Sequence, residues 1–327
     1  MDDGKASRAF FEKHVAGRTG ADRADVRLGP TYGADFGVVD VGESVVALAT
    51  DPVFVLRELG LERAAWFAFH ICASDVALSG LPPAHLAVDL NLPPGTSTET
   101  FDRIWDVFDR EARALGTSLT TGHTGTYEGC AFPTVGGATA LAVGDPEDLV
   151  LPTGASPGDR VVVTKGPAVE TTGLLGVLFG DDLPIGEREA AAAGERFEDA
   201  SPVRDALTMA AAGDVTAMHD ATERGLANGL HELAAASRVG LAVDRDAVPV
   251  LPGVEAVCEH FGMDPWTASS EGTVVATVAP DSVDGVLAAL DDEGIPAAAV
   301  GRVESGSGVT VDGEPLAEPT SDPLWPA

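Results

Sequence analysis

The sequence predicts an α/β (α+β) protein built as two domains, on three observations. At 327 residues the chain exceeds a single typical core. Short β-branched runs bounded by glycine and proline recur between longer stretches with helical periodicity. Residues 144–159 concentrate proline, glycine and acidic side chains between two such patterns, as a joint would. The boundary falls there, giving domains 1–150 and 151–327.

The first clear element is a hairpin, with strands at 37–41 and 44–49 around a turn at Gly42 and Glu43. If Val41 faces Ser44, paired positions share a constant sum, so Asp35 falls opposite Thr50 and Asp51 opposite Ala34. Two carboxylates then meet at the open end. A helix is expected over 64–80, stopped by Leu81, Pro82 and Pro83, with a strand at 85–90 after it. An amphipathic helix at 100–115 carries the stripe Phe101, Ile104, Trp105 and Phe108, which reads as core packing. Residues 118–125 read as a polar, glycine-punctuated loop, and 134–143 as a strand.

Past the joint, residues 160–164 read as a buried strand ending at Lys165. The acidic, alanine-rich stretch 180–200 reads as a solvated helix or loop. Leu226, Leu230 and Leu233 repeat at helical spacing just after Asp220 and Glu223, which stand three apart as a capping pair would. The free amides of that first turn would suit a phosphate beside His219. A strand near Gly240 and the segments 273–278 and 283–290 complete the pattern.

Composition excludes whole classes of function. The chain holds 52 acidic against 20 basic side chains, a net charge of −32, which repels nucleic acid and anionic membranes. Apolar residues make up 45%, so the acids decorate a folded body and not a disordered tail. Lysine occurs only at Lys5, Lys13 and Lys165, and this scarcity beside abundant acid suggests a saline cytoplasm and folding that needs molar salt. Cys72, Cys130 and Cys258 lie far apart, so neither a disulfide framework nor a zinc ribbon is indicated; Cys72 and Cys130 read as buried small residues. The opening residues lack a basic-then-apolar leader, and no apolar run reaches the ~18 residues of a membrane span. A cytoplasmic protein is expected.

The common nucleotide loops are missing: there is no Gly-x-x-x-x-Gly-Lys-Ser/Thr around Lys165 and no Gly-x-Gly-x-x-Gly after the first strand. His231 and Glu232 lack the second histidine of a zincin. There remain Asp35, Asp51 and Asp75, each beside glycine, serine or threonine at the end of an element. Hard oxygen ligands of that kind suit magnesium with a polyphosphate. Lys165 supplies a point charge for a phosphate, and His219 a general acid, base or donor to a phosphoryl oxygen. Glu223 and Glu271 would bind substrate or position an attacking group.

The order Gly33-Ala-Asp35, Thr50-Asp51, Ser74-Asp75, Gly122-His123-Thr124, Thr164-Lys165-Gly166, His219-Asp220-Ala-Thr222-Glu223 and Ser270-Glu271-Gly272 resembles the aminoimidazole ribonucleotide synthetase superfamily. The likeness covers nearly the whole chain and is nearest to its hydrogenase-maturation carbamoyl dehydratase branch. It implies an N-terminal sheet that dimerises into a barrel, a C-terminal α/β domain, and use of ATP with Mg2+. By resemblance Asp35, Asp51 and Asp75 hold the metal, and with Gly122, His123, Thr124, Lys165 and Asp220 they bind the nucleotide.

One departure stands out. That branch ends in a tail closing on cysteine, whereas this chain ends in Pro326 and Ala327 with Cys258 as its last cysteine, so a reaction on its own tail thiol is not expected. The expected function is Mg2+-dependent phosphoryl transfer from ATP to an oxygen of a small-molecule acceptor, in a homodimer. A thiamine-monophosphate kinase, or a non-catalytic nucleotide-binding assembly protein, is the alternative, and a protein partner lending a cysteine tail remains open.

Overall fold

The computed structural model describes residues 6–324; the opening residues 1–5, including Lys5, and the closing residues 325–327 lie outside it. By its contacts the chain divides into two compact units. The sheet unit comprises Asp25–Arg27 and Asp35–Leu149; the larger unit comprises the described residues up to Ala24, Leu28–Ala34 and everything from Val150 onward. The joint at 144–159 thus coincides with a change of unit, but the opening residues group with the larger one.

The chain opens with helix α1 (Arg8–His14), none of whose residues is buried. The sheet unit then follows as β1 (Val26–Leu28), β2 (Gly37–Val41), β3 (Ser44–Phe54), α2 (Leu61–Ala77), β4 (Pro83–Leu92), α3 (Thr98–Leu115), β5 (Ser118–Thr126) and β6 (Thr134–Gly144). Its strands are ordered β1-β2-β3-β6-β4-β5. The hairpin register is the one its turn dictates, with Val41 opposite Ser44 and Gly37 opposite Leu48. Asp35 stops two residues short of β2, so its expected pairing with Thr50 is not made; on the opposite edge of β3, Thr50 pairs with Thr139.

Alternation sorts β3 into two faces. Val45, Ala47 and Ala49 are buried while Val46 and Leu48 are half-buried, and α2 packs on the buried side against β3 and β6. In α3, Ile104 and Phe108 are buried and Phe101 and Trp105 half-buried, stacking at 5.8 Å and 6.2 Å between ring centroids, so the apolar stripe is packing as read. Ser97 starts α3 by accepting from Thr100 N at 3.1 Å, and Gly116 ends it at φ 70.

Residues 118–125 are not a loop. They form most of β5, an edge strand running parallel to β4 and reached through the α3 crossover. Periodicity misses it because none of its residues is buried, so neither face has to be apolar. Gly122 is required there, since a Cβ on it would sit 2.3 Å from the Val88 carbonyl oxygen.

The larger unit continues with β7 (Arg160–Thr164), α4 (Val169–Phe179), α5 (Glu187–Glu195), α6 (Val203–Ala212), β8 (Val215–Asp220), α7 (Gly225–Ser237), β9 (Gly240–Val243), α8 (Val254–Phe261), β10 (Val274–Val278), α9 (Val283–Asp292), β11 (Ala297–Glu304), β12 (Gly308–Val311) and β13 (Glu314–Pro315). Its sheet runs β13-β12-β9-β11-β7-β10-β8, with β9 and β12 parallel. Leu226, Leu230 and Leu233 of α7 pack with Val161, Val163 and Val275 into one core cluster, each side chain contributing about 1.5–3 kcal/mol by leaving water. On α4 the helix is buried nearly all round over its first two turns, which explains why no amphipathic stripe marks it in the sequence.

Candidate functional site

In the sheet unit the three expected metal carboxylates stand on three separate segments. Asp35 precedes β2, Asp51 pairs with Ala138 at the far half of β3, and Asp75 lies in the last turn of α2. Cys72, one turn before Asp75, brings its Sγ to 3.9 Å from the Pro52 carbonyl, next to Asp51. All three aspartates are half-buried. The ladder also places Asp51, Ala138, Val88 and Gly122 in one row, with Asp89 and His123 in the next. Three strand spacings separate Asp51 from Gly122, roughly 14 Å, so the two reach different parts of any bound molecule. His123 is exposed, 2.6 Å from the Tyr127 hydroxyl through Nε2 and stacked on its ring, while Thr124 pairs with Leu90 on the exposed edge.

The larger unit gathers the other expected residues, with corrections. His219 and Asp220 end strand β8 instead of opening a helix, and they pair with Val275 and Val274 of β10. Both are 1% exposed. Nδ1 of His219 lies 2.6 Å from the Asp220 carbonyl, which only accepts, so the proton sits on Nδ1. Nε2 stands 3.7 Å from Glu232 Oε2, and Asn228 Nδ2 donates to that same oxygen at 3.0 Å.

Asp220 and Glu223 do not cap α7. Its N-cap is Arg224, in the left-handed region at φ 64 with no side-chain cap. The amides at the helix mouth are already engaged: Arg224 N donates to Asp322 at 2.6 Å, Gly225 N to the Thr222 carbonyl and Ala227 N to the Trp266 carbonyl. Three of the amides expected to receive a phosphate thus have partners within the chain.

Lys165 is likewise committed. It is 5% exposed, and Nζ donates to the carbonyls of Asp199 at 2.9 Å, Ser201 at 3.0 Å and Gly272 at 3.1 Å, with Asp205 Oδ1 at 3.1 Å. An ammonium has three protons, and these four acceptors take them all. Lys165 therefore ties its own segment to the 199–205 and Gly272 segments through contacts made within the chain.

Glu271, 4% exposed, donates its amide at 3.1 Å to Glu170 Oε2, which also receives the Ser269 hydroxyl. Burial raises the Glu170 carboxyl to about 7, against the lowering effect of those two donors, and nearby Asp322 and Glu223 push the same way. Burial raises Asp322 as well, although it accepts amides from Arg224, Ser269 and Leu324. Glu170, Glu223, Glu271 and Asp322 thus form one acidic group around the Ser269 turn. Sequence reasoning missed Glu170 and Asp322. A signal for Glu170 was present: it is the only charged side chain between Lys165 and Asp181, and a lone charge in such a stretch is buried at a cost and needs partners. Asp322, in an irregular segment 98 residues from Arg224, offered none.

Of the cysteines, Cys72 and Cys258 are buried and Cys130 is only partly so. Burial pushes the Cys258 thiol up to about 12, which keeps it protonated and unreactive. Among the described residues no helix is long and apolar enough to cross a membrane.

Comparison with known proteins gives the chain its family. Carbamoyl dehydratase HypE of Rhizobium leguminosarum bv. viciae is 31% identical over 247 residues, 72% of this chain and 67% of that protein. The same-named protein of Cupriavidus necator is 32% identical over 68% of this chain, and the match spans 61% of its length. Among solved structures, E. coli HypE, a hydrogenase maturation protein, superposes with a TM-score of 0.73 at 27% identity, covering 85% of this chain and 87% of that one. Two more distant structures share the fold. HypE in complex with ATP has a TM-score of 0.69 at 20% identity over 98% and 97%. AaThiL complexed with AMPPCP and TMP has 0.72 at 23% over 89% and 91%. Residues 33–154 match the N-terminal domain, and residues 156–314 the C-terminal domain, of AIR synthase related protein, and with the mixed α/β architecture of both units the chain belongs to that family.

Proposed function

We propose that the protein is an ATP-dependent enzyme of the HypE type, which activates an oxygen of a small acceptor by phosphoryl transfer in the presence of Mg2+. The observation that carries this reading is the placement of Asp35 before β2, Asp51 on β3 and Asp75 in the last turn of α2, with Cys72 of that helix against the Pro52 carbonyl beside Asp51. Three carboxylates offer the hard oxygen donors that Mg2+ takes, and the ion when bound neutralises phosphate charge. The naming of relatives as carbamoyl dehydratases points to an amide oxygen as the acceptor, and the ATP-bound HypE and the AMPPCP-bound AaThiL agree with a nucleotide ligand. His219, with its proton held on Nδ1, offers Nε2 for acid–base work. Glu223 and Glu271 stand with Glu170 as the remaining acidic groups.

The test is ADP release by the full chain in molar potassium chloride with Mg2+, screened against carbamoylated acceptors and thiamine monophosphate. Acceptor-dependent release that falls by about 100-fold or more in Asp51→Asn supports the reading. Release that is unchanged in Asp51→Asn sinks it. A second reading, a nucleotide-binding assembly protein without turnover, is favoured by the committed state of Lys165 and of the α7 amides. ATP binding with no ADP release under any acceptor selects that reading.

Homodimerisation belongs to the same proposal. On the face of the sheet away from α2, Val46, Leu48 and Leu141 are half-buried, and Val41 and Val143 are 56% and 44% exposed. A second copy would cover such a face. Light scattering is expected to return the mass of two chains for the wild type and of one chain for Val143→Asp, since a carboxylate cannot be buried there unpaired. A monomeric wild type removes the dimer from the proposal.

A further inference from the structure

The turn that carries Glu271 is tied, residue by residue, to the first turn of α4 and to the residues leading into it. The Ser269 carbonyl accepts from the Thr171 amide at 3.2 Å and from the Thr171 hydroxyl at 2.8 Å. Ser270 Oγ accepts from the Val169 amide at 2.9 Å, and the Thr273 hydroxyl donates to the Gly166 carbonyl at 2.6 Å. The Gly272 carbonyl takes a proton of Lys165. The backbone of Glu271 is tied by Glu170, whose Oε2 accepts the Glu271 amide at 3.1 Å and the Ser269 hydroxyl as well.

A single oxygen that takes two donors from one turn fixes both the distance of that turn from the helix and its rotation. The helix behind it is held fast. Its first two turns are buried all round, and at Gly173 the neighbouring segment comes so close that a Cβ would lie 2.5 Å from the Phe197 amide nitrogen. A group seated from a packed helix is placed more exactly than one carried by a free loop. Glu170 is itself 6% exposed, so whatever it contributes passes through the turn.

We propose that Glu170 is a positioning residue for the phosphoryl-transfer reaction: by holding the Ser269 hydroxyl and the Glu271 amide on one oxygen, it sets where the Glu271 carboxylate stands toward the acceptor. The inference rests on the reaction proposed above, with Glu271 as the group that binds the acceptor or positions an attacking group. A displacement of about 1 Å in such a group costs on the order of 100-fold in rate. The groups that bind the substrates stay in place, so the loss falls on kcat and not on KM.

The experiment is steady-state ADP release by the full chain in molar potassium chloride with Mg2+ and carbamoylated acceptors, on the wild type, Glu170→Gln and Glu170→Met, each first shown to unfold cooperatively. Glutamine keeps an oxygen for both donors, whereas methionine fills the space without a comparable acceptor. Glu170→Met is expected to lower kcat roughly 10- to 100-fold with KM within about 2-fold of the wild type, and Glu170→Gln to keep kcat within about 3-fold. Amide hydrogen exchange of residues 269–272 reads the same tie without turnover, and is expected to be at least about 10-fold faster in Glu170→Met and unchanged in Glu170→Gln. If Glu170→Met does not fold, Ser269→Ala takes its place, since the carboxylate then loses one of its two donors and kcat is expected to fall about 3-fold or more at unchanged KM. With a wild type that turns over, the inference alone is overturned by an unchanged kcat in the variant tested, by a loss that falls on KM, by Glu170→Gln losing as much as Glu170→Met, or by unchanged exchange in Glu170→Met. A wild type that releases no ADP with any acceptor overturns the proposed reaction and this inference with it.

Discussion

Lys165→Ala is expected to lower the free energy of unfolding by roughly 3–5 kcal/mol, the scale for removing one member of a buried ion pair. The ammonium is 5% exposed and its protons go to the carbonyls of Asp199, Ser201 and Gly272 and to Asp205. Removing it strands three carbonyls and leaves the Asp205 carboxylate, 1% exposed, with only the weaker influence of Arg204. Burial already raises the Asp205 carboxyl, with Lys165 pulling it back down, so in the variant Asp205 takes up a proton and the deficit grows with pH. Asp205→Asn added to Lys165→Ala should recover part of the loss, with a coupling of roughly 1–3 kcal/mol. Lys165→Arg is no rescue, because a planar fork does not fit acceptors placed around a tetrahedral ammonium. Denaturant unfolding of the three variants measures all of this. A loss below about 1 kcal/mol in Lys165→Ala would return the lysine to the pool of groups available for a phosphate.

Glu170 makes stability fall as pH rises. Its carboxyl is raised from 4.5 to about 7 in the folded state, so between those values the folded chain holds a proton that the unfolded chain has lost. The group costs nothing below about pH 4.5, and its penalty grows through the window to reach roughly 3 kcal/mol above pH 7. In Glu170→Gln the amide oxygen can still accept from Ser269 and from the Glu271 amide, while the ionisation is gone. The variant should therefore match the wild type at pH 4.5 and be more stable than it by roughly 2–3 kcal/mol at pH 8. Unfolding free energies of both proteins across that range decide it, and parallel curves would remove Glu170 as the titrating group.

How far the residues speak for themselves varies along the chain. The β2–β3 register followed from one turn, because a two-residue connection leaves a single pairing, and Gly37 does meet Leu48. The stripe of α3 and the leucines of α7 were legible for the same kind of reason: one face buried, one face wet. Strand β5 was not, since an exposed edge strand puts no demand on either of its faces. Helix α4 was not, since burial on all sides erases its periodicity.

At the candidate site the division is sharper. The sequence by itself determined which residues carry charge at element ends, Asp35, Asp51, Asp75, His219 and Glu271 among them, and that the chain is too acidic for nucleic acid. Only the tertiary structure decided what those charges meet. It gave Lys165 four acceptors drawn from segments 34 to 107 residues away, it set Asp322 on an amide 98 residues distant, and it buried Glu170 against the Ser269 turn. Charge and helix period are local properties, readable one residue at a time. Whether a lysine faces a phosphate or a carbonyl depends on which distant backbone groups burial has stripped of water, and that is settled only when the whole unit has packed.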